Sequence, residues 1–140
     1  SGLPRRGQTA LSTIFLIGGI IVLYGTSLAL IALSFLNSAF GFQAANRALG
    51  LAYGGVYDAE IQLVRNKDFA DAGYCVPAAS IPCPSGYAQV SVTQATPSAG
   101  QVTVFSDATV SRRRRKIQAV FTVSTTTGAV SLTSANQLSL

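Results

Sequence analysis

From Gly7 to Asn46 the chain runs forty residues without a formal charge, with Arg5 and Arg6 on one side and Arg47 on the other. A bilayer-spanning helix needs about 20 apolar residues, and forty helical residues at about 1.5 Å each reach roughly 60 Å, twice a hydrocarbon core. Neither a charge nor a central turn signal divides this stretch into a two-helix hairpin. Leu11, Ile14, Phe15, Ile17, Ile20, Ile21 and Leu23, followed by the run from Leu28 to Phe42, give it a helical pattern. A continuous helix is expected from Gln8 or Thr9, after a short basic segment, Ser1–Gly7, that contains Pro4 and should be irregular. Gly18, Gly19, Gly25 and Gly41 each cost such a helix about 1 kcal/mol relative to Ala. They mark either local unwinding or tight contacts with other helices.

The pattern changes beyond residue 42 without breaking. Ala45, Leu49, Ala52, Val56, Ala59 and Leu63 recur at spacings of four and three, a heptad-like stripe. Asn46, Arg47, Tyr53, Asp58, Glu60 and Gln62 flank it, and Gly50 and Gly54 form a GxxxG pair that lets helix backbones approach closely. The helix is therefore expected to occupy residues 8–66, apolar over 8–42 and amphipathic over 43–66. Such a helix reads as one packed first in lipid and then among copies of itself, with the stripe from Ala45 to Leu63 holding the β head as well as neighbouring helices.

Asn66 to Gly73 ends the helix, and residues 67–86 read as a Pro-punctuated loop holding Cys75 and Cys83. Over residues 87–140 the period becomes two. Val90 and Val92, Val102 and Val104, Ile117 through Val123, and Val130 with Leu132 alternate with polar residues, and turns are expected at Pro97–Gly100 and Thr126–Gly128. Four strands in two hairpins follow, an antiparallel sheet whose buried face lies on the distal half of the helix. The fold class is α+β, a long N-terminal helix with a small antiparallel β head. A head of about 70 residues is near the lower limit for an independent core, so it needs a disulfide or the helix for support.

The net charge of +5 matters less than its placement. Arg5 and Arg6 before an apolar segment tend to remain cytoplasmic, which exports the head. In an oxidising compartment Cys75 and Cys83 are expected to form a disulfide, two unpaired thiols being the alternative. It would close a small loop and contribute on the order of 2–3 kcal/mol. The absence of His, with only two Cys, gives too few ligands for a metal site, and no nucleophile–base pair, phosphate loop or carboxylate dyad is visible. No enzyme and no cofactor are expected. The block Arg112, Arg113, Arg114, Arg115 and Lys116 is expected at a solvated turn, or as a partner for acids such as Asp58 and Glu60 on a neighbouring subunit. It lacks the aromatic interleaving of a nucleic-acid surface, and an anionic surface ligand is the other candidate.

Taken together, Arg5-Arg6-Gly7-Gln8-Thr9-Ala10-Leu11 and the long apolar helix resemble the type IV pilins. The segment Ala48–Phe69, with Gly55-Val56-Tyr57-Asp58-Ala59-Glu60, is similar to the corresponding helix of minor-pilin-like proteins, including those of ultrasmall candidate-phylum bacteria. Arg115-Lys116-Ile117-Gln118-Ala119-Val120 and the hairpin after it fit the same pattern. The resemblance implies cleavage between Gly7 and Gln8 by a prepilin peptidase, an uncleaved signal anchor being the alternative. At the fifth position after that cut usual pilins carry a Glu that pairs with a neighbour's terminal amine; here it is Ser12.

The function implied is that of a structural subunit in an extracellular type IV pilus-like filament. Its partners would be identical copies, the cytoplasmic membrane before assembly and the pilus assembly machinery. Leu11, Ile14, Phe15, Ile17, Gly18, Ile21, Leu28, Ile31, Phe35, Phe42, Ala45, Leu49, Ala52 and Val56 are the residues expected to pack in the filament core. The alternative is a single-pass anchored binding module that stays monomeric.

Overall fold

The computed structural model describes residues 5–140, with side chains from residue 7 onward. One helix, α1 (Arg5–Arg65), precedes five strands: β1 (Asp71–Val76), β2 (Ala88–Gln94), β3 (Gln101–Val110), β4 (Arg113–Val123) and β5 (Val130–Leu138). The α+β class is as expected. Contacts divide the chain after Phe40 into two units. The described part of the first, residues 5–40, is helix alone, with its apolar side chains exposed. The second, Gly41–Leu140, holds the rest of α1 and the whole sheet.

α1 passes through Gly18, Gly19, Gly25 and Gly41 without interruption, so these glycines do not unwind it. Its start differs from expectation. Arg5, Arg6 and Gly7 are helical, because the apolar run begins too soon after them to leave room for a separate irregular segment. Residues 1–4, including Pro4, lie outside the described residues. Asn66 closes the helix by donating its amide to the Gln62 carbonyl at 2.8 Å.

The sheet is a meander in the order β1-β2-β3-β4-β5, every pair antiparallel. The expected strands are β2 to β5. β1 is an addition, falling within residues 67–86 where the sequence predicts a loop. Its six residues hold Asp71, Ala72 and Gly73, all depleted in strands, and a register shift between Asp71 and Tyr74 interrupts its pairing with β2. Pairing with β2 overrides local preference there, as β propensity depends on context.

The core lies between α1 and one face of the sheet. Ala52, Val56, Ala59 and Leu63 from the helix meet Ala88, Val90 and Val92 of β2, Val102, Val104 and Ala108 of β3, and Ile117, Ala119, Phe121 and Val123 of β4. Period-two alternation places these strand residues on one side, and spacings of three and four place the helix residues on one stripe. The helix stripe is small apart from Val56 and Leu63, so the axis of α1 runs close to the sheet. β5 lies at an edge, with most of its residues exposed and none of them charged.

Candidate interaction surfaces

The apolar stretch presents its side chains outward on all sides. Leu11, Ile14, Phe15, Ile17, Ile21, Leu28, Ile31, Phe35 and Phe42 are all more than half exposed, Phe35 at 77%. No neighbouring atom stands near Gly18. Four hydroxyls in this stretch are turned onto the helix itself. Ser12 donates to the Gln8 carbonyl at 3.1 Å, Thr13 to Thr9 at 2.8 Å, Thr26 to Val22 at 2.9 Å and Ser27 to Leu23 at 2.8 Å. A hydroxyl without a partner in an apolar medium costs several kcal/mol. These back-bonds remove that cost, a feature the sequence reading did not consider. α1 is long and apolar enough to cross a membrane. Gly7 and Gln8 are exposed helical residues, so the expected scissile bond lies within the first turns of α1.

Beyond Phe42 the surface splits into two faces, and here the expected packing list is corrected. Ala45, Ala52 and Val56 are buried and Leu49 is partly buried, all within the unit that carries the sheet. They support the chain's own head and are not free for neighbouring helices. Ala48, Ala59 and Leu63 are fully buried alongside them. The closest approach falls at Gly55, not at the GxxxG pair. A Cβ there would collide with Ser106 Oγ and stand 2.7 Å from Val90 Cγ2. Gly50 and Gly54 face the other way, onto open space. Tyr53, Tyr57, Ile61 and Val64 share that open face at spacings of four and three, 40 to 65% exposed.

The basic block is also distributed differently from expectation. Only Ser111 and Arg112 form the turn; Arg113, Arg114, Arg115 and Lys116 are the first residues of β4, paired with β3. Arg114 lies against Asp107 across the strand pair, its Nε 2.8 Å from both carboxylate oxygens, and this partner raises the already high Arg114 pKa. Lys116 sits 4.9 Å from the Phe105 ring centroid, a cation–π contact. Asp107 was not among the candidate acids. It becomes the partner because it stands two strand positions from the residue paired with Arg114, which only the register reveals.

Asp58, one of the candidate partners for a neighbour's arginines, accepts a hydrogen bond from the Tyr74 hydroxyl of its own chain at 2.9 Å. Burial, and then the Asp58 carboxylate, hold the Tyr74 phenol well above its ordinary range. Glu60 is half-buried and has no ion-pair partner among the described residues. Cys75 and Cys83 are joined as a disulfide that closes the Pro-rich loop after β1.

No family model, no curated protein and no solved structure matches the chain. The architecture itself, a long apolar N-terminal helix followed by an antiparallel sheet, is compatible with a pilin-like fold.

Proposed function

We propose that the chain is a structural subunit of an extracellular filament of the type IV pilus kind. Before assembly α1 would hold it in the cytoplasmic membrane with its N-terminus inside. In the fibre, apolar helices from many copies would pack together, with the sheets coating them. A prepilin peptidase acting at Gly7–Gln8 and an assembly machinery are the partners this implies, and no catalysis is assigned.

The observation that carries the proposal is the length of exposed apolar helix. A bilayer covers about 20 residues of it. Exposed apolar side chains run from Leu11 to Phe42 and resume beyond as the open face with Gly50, Tyr53, Gly54, Tyr57, Ile61 and Val64. Lipid cannot cover all of this, and sister helices can. Exchanging lipid for protein around an apolar helix gains little hydrophobic free energy, so close packing at small residues must supply the drive. The back-bonded hydroxyls suit either environment.

A membrane-anchored monomeric binding module is the second reading, favoured by Arg112, Arg113 and Arg115, which have no ion-pair partner among the described residues. Electron microscopy of native cell-surface material, with mass spectrometry of the N-terminus, separates the two. Fibres containing the chain support the first reading; detergent-soluble monomers alone would sink it.

A further inference from the structure

Alternation along β4 sorts its basic residues onto two sides. Arg114 and Lys116 lie on the outer side, where Asp107 and Phe105 engage them. Arg113 and Arg115 fall on the same side as Ile117, Ala119 and Phe121, the side turned to α1. Arg113 reaches the helix, with its Nη2 2.9 Å from where a Cβ on Gly41 would sit. Gly41 lies five positions before Asn46, the end of the uncharged stretch. The turn end of the β3–β4 hairpin thus places Arg113 beside the last uncharged residues of α1, with Arg112 next to it in the turn and Arg115 two positions on along the same side of β4.

The turn itself is unusual for its residues. Ser111 and Arg112 both take positive φ, 46° and 66°. A two-residue hairpin turn of this kind prefers Asn-Gly or Gly-Gly. An arginine held in the left-handed region is an outlier of the sort that collects at functional sites.

We propose that Arg112, Arg113 and Arg115 form a collar that binds the phosphates of anionic phospholipid headgroups while the subunit is in the membrane. It sets which part of the uncharged stretch lies in the hydrocarbon. The phosphate layer begins where hydrocarbon ends, and a guanidinium presents a planar fork of donors that matches a phosphate bidentately. Arginines near an anionic bilayer surface are attracted to it, over a range set by the Debye length. Residues 7–40 reach roughly 50 Å, more than a hydrocarbon core of about 30 Å covers, so the collar selects which stretch of them lies in lipid. The collar rests on the membrane-anchored state in the function proposed above, and not on fibre formation.

The test uses the full chain reconstituted in vesicles, with a fluorophore on Ser111→Cys, the two native cysteines being disulfide-bonded. A matching label on Thr126→Cys, in the exposed β4–β5 turn, serves as the comparison. Quenching by a nitroxide-headgroup lipid reports approach to the headgroups. In vesicles with about one-third phosphatidylglycerol, Ser111 quenching should be at least about twofold stronger than in phosphatidylcholine alone, and about 0.5 M sodium chloride should erase the difference. The label at Thr126 should show no such dependence. Arg112→Gln, Arg113→Gln and Arg115→Gln together should abolish the lipid preference; the composition and salt comparisons keep all three arginines. Equal quenching in both vesicles, or a preference untouched by the triple variant, overturns the collar. Inorganic phosphate that displaces the hairpin beyond chloride at equal ionic strength assigns the arginines to a soluble anion and also overturns it. If the chain does not float with vesicles at all, the collar and the membrane-anchored state fall together; floating without lipid preference sinks the collar alone.

Discussion

Gly55 and Ser106 meet where α1 crosses the sheet, and the contact is tight enough to fix both residues. Gly55→Ala forces its new methyl against the Ser106 hydroxyl and Val90. Overpacking of this kind typically costs about 1–3 kcal/mol. Ser106 Oγ is itself a buried side-chain oxygen with no hydrogen-bond partner among the described residues. Ser106→Ala is expected to be neutral or stabilising by about 1 kcal/mol, since it removes an unpaid desolvation. The pair Gly55→Ala with Ser106→Ala should lose less stability than Gly55→Ala alone, as denaturant unfolding of the detergent-solubilised chain will read. Additive losses would refute the close approach.

Tyr74 provides a pH signature at the same scale. Its folded pKa is raised, by burial first and by Asp58 second, above an ordinary value of about 10. The folded state therefore keeps the phenolic proton at pH values where the unfolded chain releases it. This stabilisation is fully present below about pH 10 and declines as pH rises above it. Tyr74→Phe should flatten the alkaline limb of a stability–pH curve. An unchanged limb would show that Tyr74 is not the group responsible.

Among the elements, the β3–β4 hairpin carries a conflict between local preference and pairing. Ten residue pairs in register hold β3 to β4, and the two residues left between them must turn with positive φ. Ser111→Asn with Arg112→Gly supplies the residues such a turn prefers and should raise stability by about 0.5–1 kcal/mol. Thermal unfolding checks this, and a loss of stability would mean that the Arg112 side chain supports the fold. β1 is the converse case. It is short, irregular in register and tied down by the disulfide at Cys75, so one sheet edge is blunted while uncharged β5 is left open.

At the scale of the molecule, the distal helix has one face used by the sheet and one left open, and in the proposed filament the open face is the one available to neighbours. The face with Ala48, Ala52, Gly55, Val56, Ala59 and Leu63 is used up by the sheet, so changes there unfold the head. Gly54 lies on the open face. Gly54→Leu is expected to leave the unfolding midpoint within about 1 kcal/mol of the original, since it also removes a helix glycine. It should nevertheless abolish or disorder fibres by blocking close helix approach. Normal fibres from this variant would show that the GxxxG face is not a subunit contact.

The sequence alone determined the helix, its apolar and amphipathic halves and four of the five strands, and it made the pairing of Cys75 with Cys83 the expected one. Those features follow from local periodicity, from charge placement and from there being only two cysteines. Tertiary structure decided what covers the stripe from Ala45 to Leu63: the sheet takes it, closing on Gly55 and leaving Gly50 and Gly54 open, where spacing alone allowed sister helices as well. It also decided the partners of the charges, because Asp107 meets Arg114 through strand register and Tyr74 meets Asp58 across the strand–helix packing. Strand β1 was hidden for the same reason: its pairing energy comes from β2, not from its own residues.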